Sequence, residues 1–323
     1  MPVSKRPGLK RFRPGAKLKA KKTKRVKHTT RPKALPTHAK AVKLPRHKPI
    51  HKRVATKSAA LPERLLFCNC PERLTRFGAY ADAPLAAGRP YRVFYHFHNT
   101  TRRTAPLVVA LVGTEKKPVR AVVRKGVGDW CASPRSAGQT AMQRFLSAPT
   151  VAYKGNGVVR FAAPLAPHHV ASGVMTVRCA QDARLRIFFG DNRRVVPDAR
   201  VVAADAPRRQ VRVKLTAKNG PQYVRIGQPD AKMSPLLDGA YGFLYDFQIT
   251  APKGRTVHVT FSPRGGHAGL VATVNGKLIN APIAAPASVV PLASFLMGNR
   301  PLRLVTLPFG GVFYPVEIAF RLK

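Results

Sequence analysis

From residue 61 onward the chain breaks into short runs rich in Val, Ile, Phe, Tyr and Thr, each closed by Gly, Pro or Asn. They include "RVFYHFHNTT", "PLVVALVG", "VRAVVRKG", "GVVRFAAPL", "VMTVRCA", "LRIFFGD", "QVRVKLTAKNG", "GFLYDFQIT", "TVHVTFSPRGG", "GLVATVNGKLI", "PLRLVTLP" and "VEIAFRL". Each has the length of a strand, and most alternate apolar with polar residues. That pattern lines one face of an extended chain and smears around a helix. About a dozen strands with turns every 8–12 residues predict an all-β chain built as a sandwich or barrel. A soft boundary at "ADAPRRQ", residues 204–210, gives a first β-sandwich domain over 61–205 and a second over 206–323. One larger continuous sandwich is the alternative.

The punctuation is as informative as the runs. Asn275-Gly276 between Val274 and Lys277 is a two-residue hairpin signal, since both residues accept the positive φ of a type I′ turn. Lys218-Asn219-Gly220 and the stretch Lys154 to Gly157 also read as turns. One segment reads as helix: "SAGQTAMQRFLSAP" offers Ser136 or Thr140 as a cap. It then spaces Met142, Phe145 and Leu146 for one helical face before Pro149 ends it.

Residues 1–60 have a different texture. They hold 21 Lys and Arg, no Asp or Glu, frequent prolines and no periodic apolar face. Such a segment cannot bury enough surface to offset its ordering entropy, so a disordered basic tail is expected. Blocks of one charge serve as interaction arms, and Lys17, Lys19, Lys21, Lys22, Lys24, Arg25 and Lys27 are its densest cations. Phe12 is the tail's one aromatic, leaving no platform for stacked bases, so contact with the polymer backbone and no sequence preference is expected.

The charge bias is not confined to the tail. The whole chain carries +45, and residues 61–323 still hold 37 Lys and Arg against 13 acids. Arg212 with Lys214, Arg184 with Arg186, and Arg120 with Arg124 alternate along their strands, as on a sheet with one wet face. With so few acids to pair them, they predict a positive surface able to hold an anionic polymer. No segment has the apolar core of a secretory signal, and no run of about 20 apolar residues would cross a membrane as a helix. Cytosolic synthesis, followed by assembly on a spore or cell envelope, is the expectation.

Candidate chemistry is sparse. His96 and His98 in "FYHFHN" could open a metal site, as His-x-His does in cupin-type barrels. Arg102 and Arg103 occupy the neighbourhood where a further ligand belongs, and Glu115 is the next acid. A solvent-facing or inter-sheet role for the histidines, with Val93, Tyr95 and Phe97 on the core face, competes with metal ligation and with contact to a polyanion. Cys68, Cys70, Cys131 and Cys179 are too few for a disulfide scaffold. "CNC" puts Cys68 and Cys70 on one side of an extended segment, and reduced thiols, a disulfide or a metal role all stay open. No nucleophile elbow, H-E-x-x-H or phosphate loop occurs. "SPRGGHAG", residues 262–269, reads either as a hairpin turn or as an anion nest in which Arg264 adds charge.

The stretches "PERLTRFGAYADAPLAAGRPYRVFYHFHNTT", "APLVVALVG", "VGDW" and "AGQTAMQRFL", with "GAYGFLYDFQI", "VTFSPRGGHAGLVATVNGKLINAP" and "LPFGGVFYPVEIAFRL", resemble an uncharacterised β-rich domain of bacterial envelope proteins. The motif positions would be Pro71, Glu72, Tyr95, His96, Asn99, Gln139, Thr140, Ala141, Arg264, Gly265 and Gly266. The likeness runs from about residue 61 to the end. Some relatives are attached to copper amine oxidase N-terminal-like modules, which bind or display. The resemblance implies the β fold and carries no assigned activity to transfer.

The combined expectation is a non-enzymatic structural or adhesive protein, associated with a surface. It needs no cofactor and binds an anionic polymer through its basic tail, Arg264 and a basic β surface; a homo-oligomer is a further partner reading. The alternatives are a nucleic-acid-binding or packaging protein with a basic arm, and a metal protein using His96 and His98.

Overall fold

The computed structural model describes residues 61–114, 118–128, 133–190, 194–228 and 235–323. The first eleven strands are β1 (Arg64–Cys70), β2 (Arg73–Leu74), β3 (Gly78–Leu85), β4 (Pro90–Asn99), β5 (Ala105–Gly113), β6 (Pro118–Val127), β7 (Val151–Asn156), β8 (Val158–Leu165), β9 (Val170–Cys179), β10 (Ala183–Phe189) and β11 (Arg200–Asp205). Helix α1 (Pro134–Ser147) lies between β6 and β7. The remaining strands are β12 (Arg208–Lys214), β13 (Gln222–Ile226), β14 (Leu244–Thr250), β15 (Thr256–Pro263), β16 (Ala268–Val274), β17 (Lys277–Ala284), β18 (Val290–Leu296), β19 (Leu302–Thr306) and β20 (Val316–Leu322). The chain is all-β with one α-helix among the described residues.

Strand pairing changes hands at Ala206-Pro207. Before it, one sheet runs β11-β1-β4-β9-β6-β7 with β2 beside β4, and a second runs β3-β10-β5-β8. After it, the sheets run β12-β14-β19-β16-β17 and β13-β20-β15-β18. Inward residues of the first pair of sheets, such as Val93, Tyr95 and Phe97 against Leu107, Leu185 and Ile187, form one core. In the second pair, Phe247, Ile249 and Leu304 pack with Val259, Phe261 and Ile318.

The two halves are fused by a shared apolar surface. The second core also contains Leu65, Phe67, Phe94 and Val174 from the outer face of the β11–β7 sheet, together with Met142 and Phe145 of α1. Phe94 stacks on Phe67 with centroids 5.4 Å apart and on Tyr241 at 5.9 Å. Burying each such ring contributes about 2 kcal/mol. Strands of both halves accordingly belong to one compact unit, Lys57–Lys323.

Strand β4 is therefore covered on both sides. Val93, Tyr95 and Phe97 enter the first core as the alternation predicts, while Arg92, Phe94 and His96 are also buried. Of the solvent-facing and inter-sheet alternatives, His96 takes the second: the face that looks polar in sequence is roofed by the second half and by α1. The roof needs glycine, because a Cβ at Gly126 on β6 would lie 2.1 Å from the Ala141 carbonyl oxygen of α1.

Local signals fare unevenly. Asn275 and Gly276 adopt φ of 48° and 85° and join β16 to β17, with Val274 opposite Lys277. Helix α1 buries Met142, Phe145 and Leu146 as expected, but its cap is Ser133, whose hydroxyl accepts from the Ser136 amide at 3.3 Å. Pro134 follows the cap, where its missing N–H costs nothing. Lys154 to Asn156 continue β7, so the turn into β8 is confined to Gly157 at φ 70°.

Candidate anion-binding surface

Four acids organise most of the arginines near them. Asp82 meets Arg184 at 2.8 Å and Arg186 at 3.4 Å; Asp205 meets Arg89 at 2.7 Å and Arg64 at 3.6 Å. Buried Asp246 takes both Nε and a terminal nitrogen of Arg303 at 2.8 Å and also pairs with Arg208. Glu317 takes Arg264 at 2.5 Å and Arg225 at 3.4 Å. Each carboxylate thus sits between two guanidinium groups. Hydrogen bonds from Arg303 hold Asp246 below the usual carboxylate range, and those from Arg264 do the same for Glu317.

Cations remain after this matching. Arg120, Lys154 and Arg178 are exposed on the β9-β6-β7 end of the first sheet, Arg212 and Lys214 on edge strand β12, and Arg321 on β20. Among the described residues none of these six side chains makes an ion pair. The three alternating pairs named from sequence therefore separate. Arg184 and Arg186 share Asp82, and Arg124 turns onto the last turn of α1, where it donates to the Phe145 and Leu146 carbonyls. Arg120, Arg212 and Lys214 stay available to solvent anions.

Arg264 sits in the turn between β15 and β16, with its guanidinium engaged by Glu317. The amides of Arg264 and Gly265 both donate to the Pro315 carbonyl, at 2.9 and 3.0 Å. Those two donors of the expected nest are already used inside the fold. Lys17, Lys19, Lys21, Lys22, Lys24, Arg25 and Lys27 lie outside the described residues, as do Glu115 and Cys131.

His96 occupies the seam between the halves. Its amide donates to the Asn69 side-chain oxygen at 3.1 Å, its Nε2 is 3.8 Å from a Glu72 oxygen, and neither ring nitrogen has a hydrogen-bond partner. Desolvation, with His98 adding to it, pushes its pKa down to about 4, so the ring is neutral near pH 7. No group of three His, Cys, Asp or Glu side chains suited to a metal occurs among the described residues.

Cys68, Cys70 and Cys179 are free thiols. A register shift between Phe67 and Cys70 sends Cys68 into the first core and Cys70 against the second, so they do not share a side. Burial pushes the Cys68 thiol well above its ordinary range and the Cys179 thiol up to about 11, which leaves both unreactive at neutral pH.

The buried arginine Arg92 was not anticipated from sequence. It donates to the carbonyls of Pro207 and Gly242 at 2.8 and 3.1 Å and to Glu63 at 2.5 Å, tying the outer face of β4 to the start of the second half. Three apolar neighbours in "RVFYHF" disguise it as a strand-end cation.

No family model matches the chain, and no curated protein matches it. Among solved structures, the chain is similar to that of Lac15 from a marine microbial metagenome, with 11% identity and a TM-score of 0.16. The alignment covers 78% of this chain and 61% of that one. A TM-score that low does not amount to a shared fold.

Proposed function

We propose that the protein is a non-enzymatic structural or adhesive module that holds an anionic polymer through its basic residues 1–60 and its exposed basic β surface. The observation that carries this reading is the charge left over on rigid strands once Asp82, Asp205, Asp246 and Glu317 have each taken two arginines. Unpaired cations on strands meet an anion from backbone that is already ordered, and residues 1–60 add 21 Lys and Arg with no acid.

The test is binding of the full chain to duplex DNA and to a wall-type polyanion across a salt series. Ten phosphate contacts would give a log–log slope of about −9, and changing Lys17, Lys19, Lys21, Lys22, Lys24, Arg25 and Lys27 to Gln should flatten it by about 6. Similar steep slopes on both polymers support a general polyanion grip. Strong preference for DNA would replace adhesion by packaging, and shallow slopes on both would remove the reading.

A further inference from the structure

Arg120 and Lys154 are direct partners across β6 and β7, and Arg178 on β9 faces Val122, two residues along β6 from Arg120. Residues two apart on a strand share a face, so all three side chains leave the outer side of the sheet, opposite the core-facing Val119, Ala121 and Val123. Arg120 has Lys154 as its direct partner, with Cβ atoms about 5 Å apart, and Arg178 as its diagonal one at about 7 Å, so a small group held above Arg120 is within reach of the other two long side chains. Exposed Val122 and Ala152 form the floor of this triangle.

Like charges placed directly opposite destabilise a sheet. Elsewhere the chain places an acid between neighbouring arginines: Asp82 joins Arg184 and Arg186, Asp246 joins Arg208 and Arg303, and Glu317 joins Arg225 and Arg264. Arg120, Lys154 and Arg178 crowd together across three strands, with no carboxylate paired to them among the described residues. We infer that these three residues form a discrete site for a tetrahedral oxyanion, a phosphate or sulfate ester group, which takes the place that Asp82 or Asp246 fills in the other clusters. Two guanidinium forks and one ammonium converging from three strands suit an anion with three or four acceptor oxygens better than a planar carboxylate. The inference deepens the anion-binding reading above and rests on it, since the group would be one repeat of the bound polymer.

The experiment follows the arginine Nε–Hε resonances of the isotope-labelled full chain during titration with inorganic phosphate, and separately with sulfate, at constant ionic strength. Arg120 and Arg178 should shift together and saturate at a concentration about tenfold below that needed for Arg212, which faces Gln248, and Arg321, which faces His258. Lys154→Gln, an exposed substitution that leaves the fold intact, should weaken the response at Arg120 and Arg178 about tenfold and leave Arg212 unchanged. Tighter phosphate than sulfate assigns a phosphate ester, and the reverse a sulfate ester. If Arg120 and Arg178 follow the same course as Arg212 and Arg321, the site is overturned. The salt slope of the same chain on a long polyanion then separates the two ideas: a steep slope overturns the site alone, and a flat one overturns the polymer-binding reading with it.

Discussion

The main chain of Gly310 lies directly against the imidazole of His96: a Cβ at Gly310 would be 2.3 Å from Nδ1. Gly138 of α1 meets the same segment from the other side, its Cβ position only 1.9 Å from the Gly310 carbonyl oxygen. Strand β4, the loop after β19 and α1 are thus stacked through two glycines. Substituting Gly310→Ala must push the halves or the helix apart. A loss of about 2–3 kcal/mol is expected, the usual cost of overpacking a tight core. Urea unfolding should show a lower midpoint for both Gly310→Ala and Gly138→Ala, while Gly276→Ala, whose Cβ would meet nothing within 4 Å, should lose only what its φ of 85° costs. Equal effects at all three would mean that the seam is not tightly packed.

Burial of His96 gives the molecule an acid-sensitive term. Its folded pKa of about 4 lies below the ordinary 6.5, so the unfolded chain takes up the proton first as the pH falls. Stability is therefore full above about 6.5, declines through the window between about 6.5 and about 4, and is constant below it, for a total of about 3 kcal/mol. Glu72 works the other way: desolvation raises its pKa, against the pull of Arg73, so its own term is lost as pH rises above the ordinary carboxylate value. Unfolding midpoints at pH 7.5 and 4.5 should differ less in His96→Gln than in the parent chain. An unchanged difference would assign the acid sensitivity to other groups.

Arg92 ties the halves through two backbone carbonyls and the Glu63 carboxylate. Replacing it by Met keeps the stem and strands the Pro207 and Gly242 carbonyls and the Glu63 carboxylate. Breaking a buried pair from one side costs about 3–5 kcal/mol. Glu63→Gln alone should cost less, because a neutral amide still accepts from the guanidinium and Glu63 is partly exposed. A cycle of the two substitutions with a coupling near zero would show that Glu63 and Arg92 do not act together.

How far the fold is legible depends on the range of the interaction. Asn275-Gly276 announces its hairpin because the φ requirement is local, and Val93, Tyr95 and Phe97 announce a core face because alternation is local. The second face of β4 is hidden, since Arg92 and His96 look like solvent residues until a half beginning more than a hundred residues later covers them. The basic surface was half legible. Alternation placed Arg120, Arg184 and Arg212 on outer faces, but only the strand order shows that Arg184 meets Asp82 across 102 residues while Arg120 meets Lys154. Ser133 was missed as the cap because the apolar periodicity of α1 starts later than its first turn.

Asp246 allows stability and anion binding to be moved in opposite directions. It is buried beneath Arg303 and Arg208, and Arg303 lies opposite Gln248, which in turn lies opposite Arg212 on β12. Asp246→Asn removes the negative charge between the two arginines without changing the shape of the side chain. Both guanidinium groups are about half exposed, so solvent screens the lost pairs and a destabilisation of only about 1–2 kcal/mol is expected. The two released cations join Arg212 and Lys214 on one outer face. On a long polyanion the full chain should then bind more tightly at low salt, with a log–log slope steeper by about 2. Arg303→Gln, which removes a cation from the same cluster, should lower stability without steepening the slope. If Asp246→Asn weakens unfolding resistance and leaves the salt dependence untouched, the outer face of β12, β14 and β19 takes no part in holding the polymer.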